Sequence, residues 1–260
     1  MLLTGKTVVV SGVGPGLGHR VAAAVVRDGG NAVLGARTAA SLDTSAAEID
    51  PGGLHTAWRS TDITDEAQCG ALAALAVERF GRIDAVVHVA ALDRHFGGIE
   101  DADFAAWQSV LDVNLLGTLR MTRACLPALK ERGGSVVIIG TQSAVAAPAQ
   151  VRQAAYAASK GALTSAMYSL AQELGPHRIR VNTVLPGWMW GPPVQGFVRE
   201  TARREGVPEA EVLGRLTARM ALPEPATDGD VAEAVAFLAS DRARAITGQS
   251  LLVNAGELMR

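Results

Sequence analysis

Tyr156 and Lys160 stand four residues apart in the run Tyr156-Ala157-Ala158-Ser159-Lys160. On a helix, positions i and i+4 share one face, so the phenol and the ammonium point the same way. A tyrosine at its ordinary pKa of about 10 carries protons poorly near neutrality, and a neighbouring cation favours the phenolate and lowers that value. The chain has only two Tyr and three Lys, and this spacing arises by chance in about 2% of such sequences. The other tyrosine, Tyr168, has Gln172 at i+4 and cannot form the same pair.

A second group lies near the start, in Ser11-Gly12-Val13-Gly14-Pro15-Gly16-Leu17-Gly18. It follows an apolar run and opens a helical pattern. Glycines there permit a tight turn and let a pyrophosphate approach a helix N-terminus, whose dipole and free N–H groups favour an anion. Further on comes Leu34-Gly35-Ala36-Arg37-Thr38, at the end of a second apolar run. An acidic side chain at that point would hold the ribose 2′-hydroxyl of NAD, and none is present. Arg37 suits a 2′-phosphate through charge-assisted hydrogen bonds, which favours NADP(H) over NAD(H). The plainer alternative is an Arg37 that stacks on adenine or is only solvated.

These groups need a scaffold. Short apolar runs at 7–11, 32–35, 55–58, 85–89, 135–139, 180–185 and 250–253 alternate with helix-like segments at 17–29, 64–80, 101–130, 155–175 and 228–239. Most runs are rich in Val, Ile and Leu without alternation, as in strands buried on both faces of a parallel sheet. The order predicts a doubly wound α/β sheet of about seven strands. No linker, repeat or low-complexity tract divides residues 1–260, so one dinucleotide-binding and catalytic domain is expected. The proline-rich stretch 186–225 reads as a loop with short helices placed where a substrate lid would sit.

Composition narrows the classes. The chain has 260 residues, 48% hydrophobic and 19% charged, with a net charge of −2. That describes a core-rich protein with no basic surface for nucleic acid or acidic lipid. Cys69 and Cys125 form no CxxC and read as buried thiols of a reducing compartment. The five histidines show no metal-binding spacing, so no metal is expected. The first twelve residues lack the pattern of a targeting segment and read as a first strand. A soluble, cytoplasmic protein without a membrane partner is expected.

Taken in order, the motifs resemble the short-chain dehydrogenase/reductase family, from Gly5 to Gly256. The glycine turn is TGxxxGxG-like, with Ser11 for the usual Thr, and Tyr156-x-x-x-Lys160 matches the family's catalytic pair. The resemblance implies a single-domain Rossmann-type fold and a nicotinamide dinucleotide. It implies cofactor contacts at Gly12, Gly14, Pro15, Gly16, Leu17, Gly18, Arg37, Asp62, Ile63, Ala90, Tyr156, Lys160, Pro186, Gly187 and Met189. Asp62 would lie near the adenine, although a helix cap at Asp62 or Thr64 explains it nearly as well. Val87-His88-Val89-Ala90-Ala91 replaces the family's NNAG and keeps only Ala90; His88 reads as a structural histidine. Ser143, thirteen residues before Tyr156, takes the place of the family's catalytic serine, with Thr141 as a rival. Asn114 matches the fourth member of the tetrad, where a water on its freed backbone would join a proton relay. Gly191 stands where the family often has a phosphate-binding Thr, and Asn254-Ala255 departs from the usual Asp-Gly-Gly.

The implied chemistry interconverts a secondary alcohol and a ketone. Trp188, Trp190, Gln142, Val145 and Phe96 are expected around the substrate, which suggests a small apolar or cyclic molecule. The bland alternative has the tryptophans anchoring the lid or a subunit contact. Two rival functions fit the same scaffold. A 3-oxoacyl thioester reductase would use Arg199, Arg203, Arg204, Arg215 and Arg219 as a basic patch. A non-catalytic cofactor-binding regulator would not need the tetrad. The family also suggests a homo-oligomer, a tetramer or dimer pairing the helices 101–130 and 155–175.

Overall fold

The computed structural model describes residues 1–147 and 151–259. The first half of the chain forms β1 (Thr7–Ser11), α1 (Leu17–Arg27), β2 (Asn31–Ala36), α2 (Ala39–Ile49), β3 (Thr56–Ser60), α3 (Glu66–Phe80), β4 (Ala85–His88), α4 (Phe104–Leu111), α5 (Thr118–Arg132) and β5 (Gly134–Ile139). There follow α6 (Ala154–Leu174), β6 (Ile179–Pro186), α7 (Pro192–Glu205), α8 (Glu209–Thr217), α9 (Asp228–Ala239) and β7 (Ser250–Val253). The seven strands lie in the order β3-β2-β1-β4-β5-β6-β7, and every pairing is parallel. This is the doubly wound sheet that the alternating runs predict.

The strands read as unbroken apolar runs because each face meets a helix layer. Val8 and Val10 of β1 enter the core under α1 and α9. Val9 points the other way, into the core under α3, α5 and α6. β1 pairs with β2 on one side and β4 on the other, so the chain reverses its winding there and opens a crevice beyond the strand ends. The two loops at that crevice are tied together. Val89 N and Ala90 N both donate to Ser11 O at 2.8 Å, and Gly12 N donates to Gly35 O at 2.7 Å. Gly12 has φ +102, and a Cβ there would lie 2.2 Å from Ala90 N, so no other residue fits.

Three elements differ from expectation. α2 has no counterpart among the expected helices: its buried stripe is Leu42, Ser45 and Ala46, one large apolar residue and two small ones, too weak a periodic signal to see. The helix expected at 101–130 is α4 and α5 joined by a π-helical turn, Asp112–Gly117. The stretch 186–225 carries two substantial helices, α7 and α8. They share a small core of their own, Val198, Ala202, Val212 and Leu216, and Pro192 and Pro193 start α7, where a missing N–H costs nothing.

Candidate active site

α6 carries Tyr156 and Lys160 across from the end of β5. Lys160 is buried, and its Nζ donates to Ile139 O at 2.7 Å. The same ammonium lies 5.8 Å from the centroid of the Tyr156 ring. Burial lowers the Lys160 pKa to about 8, while the charge of Asp93 pulls it back up. Burial also pushes the Tyr156 phenol well above its ordinary value, and Asp93 adds to this. The expected lowering of the phenol by Lys160 is therefore not the dominant effect: with the ammonium drawn to Ile139 O, desolvation wins and the phenol stays protonated.

Past β5 the chain makes a 3-10 turn, Gln142–Ala144, against α6. Thr141 caps this turn: its Oγ1 accepts from Ser143 N at 3.2 Å. That engages the hydroxyl of the rival residue. Ser143 is half-buried, and its own hydroxyl has no hydrogen bond among the described residues.

Asn114 lies in the π-helical turn and is fully buried. Its Oδ1 accepts from Leu92 N at 2.7 Å, and its Nδ2 donates to Leu92 O at 3.1 Å and to Ser159 Oγ at 2.9 Å. Ser159 donates in turn to Tyr156 O at 2.7 Å, which ties the Asn114 turn to the first turn of α6. The Asn114 carbonyl accepts from Thr118 Oγ1 at 2.8 Å, so that backbone oxygen is already engaged once. Thr122 Oγ1 donates to Thr118 O and therefore accepts from His88 Nε2 at 2.8 Å. Burial, then the Lys160 charge, lower the His88 pKa to about 3, so the ring is neutral, with no partner on Nδ1 among the described residues.

The glycine turn stands at the crevice as the motif requires. α1 begins at Gly16 with no side-chain cap and no acidic residue in its first turn, whereas α3 and α9 are capped by Asp65 and by Thr227 with Asp230. An uncapped N-terminus with a positive dipole suits the phosphates of a dinucleotide. Arg37 is exposed at the end of β2 and has no ion-pair partner among the described residues. Asp62 Oδ1 accepts from Thr64 N and Thr64 Oγ1 at 2.9 and 2.8 Å. The helix cap is Asp65, not Asp62 or Thr64, with Oδ1 accepting from Ala67 N and Gln68 N. Ile63 is buried in the core with α3 and α5. Pro186 ends β6, Gly187 N donates to Val253 O at 3.4 Å, and Met189 O accepts from Gly191 N at 2.7 Å.

The chain matches the family model described as Enoyl-(Acyl carrier protein) reductase over residues 12–257. It is 33% identical to an L-rhamnose 1-dehydrogenase (NAD(P)(+)) of Azotobacter vinelandii, with 98% of each chain covered. It is 30% identical to a cis-4-hydroxycyclohexanecarboxylate dehydrogenase of Sinomonas cyclohexanicum, with 96% of each covered. A short-chain type dehydrogenase/reductase from Mycobacterium ulcerans superposes with a TM-score of 0.89 at 28% identity, covering 99% of this chain and 91% of that one. The chain belongs to the short-chain dehydrogenase/reductase family. It is an oxidoreductase by that membership.

Gln142 adjoins Ser143 but is buried with both ends of its amide engaged by Asn254 and Glu257. Trp188 packs on Phe197, ring centroids 5.2 Å apart, and both Trp188 and Trp190 join the small core of α7 and α8. Trp190 also lines a cavity of about 1160 Å³ between α1, α2, α7 and α9, which contains Pro15 and Gly16 but none of Ser143, Tyr156 and Lys160. The bland reading, an anchor for the α7–α8 segment, is the one this packing favours. Val145 follows the 3-10 turn half-buried, and Phe96 is exposed. Of the five arginines, Arg203, Arg204, Arg215 and Arg219 pair with glutamates, which neutralises the patch that a thioester reductase would want.

Ser159, Asp93 and Glu257 take part in these contacts without a motif that marks them. Ser159 lies inside the Tyr156–Lys160 motif, at the i+3 position that shares the tyrosine's face. Asp93 and Glu257 gave no signal, because only the tertiary fold brings them to α6 and to Gln142. No helix among the described residues is long and apolar enough to cross a membrane.

Proposed function

We propose that this enzyme interconverts a secondary alcohol and a ketone with NADP(H), on a small, mainly apolar or cyclic substrate. The observation that carries the reading is the Tyr156 phenol. Burial and the charge of Asp93 favour its protonated form, it makes no hydrogen bond within the described residues, and its ring centroid lies 5.8 Å from a buried ammonium. Such a phenol is a proton donor waiting for an acceptor.

In the direction of reduction, Tyr156 gives its proton to the carbonyl oxygen of the substrate. Ser143 holds that oxygen through its open hydroxyl. Lys160 binds the ribose and stabilises the phenolate left behind, since the ammonium is then next to a negative charge. Asn114, fixed by Leu92 and Ser159, holds the start of a path by which Tyr156 regains a proton. Gly12, Gly14, Pro15, Gly16, Leu17 and Gly18 receive the pyrophosphate, Arg37 the 2′-phosphate, and the Met189 backbone the carboxamide. The bound dinucleotide supplies the hydride. The α7–α8 segment, braced by Trp188 and Trp190, forms the lid and keeps water from the reacting carbon.

The related hydroxycyclohexanecarboxylate dehydrogenase supports a cyclic secondary alcohol, and the spent Gln142 amide supports an apolar wall beside Ser143. The test is an absorbance screen of ketones and alcohols with both reduced and both oxidised dinucleotides. Turnover of cyclic ketones with NADPH is expected. Tight dinucleotide binding without turnover of any carbonyl or alcohol would favour the regulator instead.

A further inference from the structure

Glu257, near the end of the chain, is a buried carboxylate whose side chain is 2% exposed. An unpaired charge at such a depth is costly, so its partners define what it is for. One oxygen pairs with Arg219, which follows α8, and the other accepts from Gln142 Nε2 at 2.5 Å. The far side of the same amide, Gln142 Oε1, accepts from Asn254 Nδ2 at 2.9 Å. The opposite amide orientation would set oxygen against carboxylate and NH2 against NH2, so Gln142 has one allowed pose. Asn254 also donates to Leu258 O at 3.0 Å, which folds the tail back over the site. Ala221 N and Leu222 N both donate to Ala255 O at 3.0 Å. A Cβ on Gly187 would lie 2.8 Å from Gln142 Oε1, so the Pro186-Gly187 turn rests directly on the clamped amide.

Three parts of the site thus meet on one side chain: the turn that carries Ser143, the Gly187 turn that leads to Met189, and the α7–α8 segment. We infer that Glu257 is a positioning residue that couples the closed position of α7–α8, through Arg219, to the placement of the Ser143 turn, through Gln142. The inference rests on the oxidoreductase reading above. Both Glu257 oxygens are held by protein partners, Arg219 and Gln142. Glu257 acts by making closure of the segment and alignment of the hydroxyl a single event.

The test compares the parent with Glu257→Gln, in which one of the two side-chain atoms becomes a donor facing a donor. The expected result is a substrate KM raised about tenfold, the size of effect an unsatisfied buried donor produces. kcat is expected to fall with it, because Ser143 holds the reacting oxygen, while dinucleotide Kd rises by less than about threefold, since most of its contacts lie on the glycine turn and Tyr156 lies on another element. Amide hydrogen exchange should quicken together at 142–145 and 209–222 and nowhere in α6. Arg219→Lys, altered from the more exposed side of the pair, should raise KM about threefold and covers the case in which the buried variant does not fold. Unchanged KM and exchange, or equal changes in kcat, KM, Kd and exchange throughout the chain, would overturn the proposal. If the parent turns over no substrate, the oxidoreductase reading fails, and the paired exchange at 142–145 and 209–222 still decides the coupling.

Discussion

Replacing Lys160 with methionine should make the protein more stable at pH 7 while removing its chemistry. The ammonium is 2% exposed, and burial lowers its pKa from 10.5 to about 8. That difference corresponds to about 3 kcal/mol of unfavourable free energy while the lysine is charged. Methionine fills similar space without charge but leaves Ile139 O without its donor, at a cost of about 1–3 kcal/mol. The balance is a gain of about 1 kcal/mol at pH 7, or roughly 3 °C in Tm. The sign then turns with pH. Between about pH 8 and 10.5 the unfolded chain binds more protons at this lysine than the folded chain, so the parent gains stability as pH rises and the variant does not. The variant's advantage should shrink through this window and reverse in its lower half, at about pH 8.6. Urea titrations of both proteins at several pH values measure the difference, in which the buried thiols of Cys69 and Cys125 cancel. A variant less stable than the parent at pH 7, or a difference independent of pH, would refute the electrostatic reasoning.

Arg37→Ala should weaken NADP(H) binding about tenfold while NAD(H) binding changes little, since only the phosphorylated ribose uses the charge; titration calorimetry reads the ratio, and an unchanged ratio removes the basis for preferring NADP(H). Ala255 has φ +53, a left-handed conformation that costs an alanine about 1–2 kcal/mol. Ala255→Gly should therefore stabilise by about 0.5–1 kcal/mol in thermal melts, the greater freedom of unfolded glycine offsetting the rest; a lower Tm would contradict this. Gly12→Ala should abolish dinucleotide binding or folding, because its Cβ would lie 2.2 Å from Ala90 N; near-parental Kd and Tm would show that the turn has room.

The strands were legible in order because a parallel strand buried on both faces has to be apolar throughout, as in Val8, Val9 and Val10. α2 was not, because Leu42, Ser45 and Ala46 carry too little apolar contrast. At Asn114, propensity marks an unfavourable mid-helix residue, but only the fold reveals a π-helical turn that buries it against Leu92 and Ser159. Local sequence brings Tyr156 and Lys160 together, four residues apart on one helix. It could not give the electrostatics, since desolvation of the phenol and the pull of Ile139 O on the ammonium are tertiary effects. Trp188 and Trp190 show a similar limit: aromatic residues near a site suggest substrate contact, while their packing on Phe197 and Val198 depends on helices that the prolines of the segment conceal. Glu257 lies more than a hundred residues from Gln142, beyond the reach of any local pattern.

A proton-donor role for the Tyr156 phenol carries the proposed function. Its most direct test is single-turnover reduction of a ketone by preloaded NADPH in the parent and in Tyr156→Phe, followed at the reduced nicotinamide band, with NADPH Kd measured in parallel. The expected result is a loss of about 10²–10⁴-fold in the rate of the chemical step, the usual worth of a positioned general acid, with Kd within about twofold of the parent. A variant that reduces the ketone at the parental rate would contradict it.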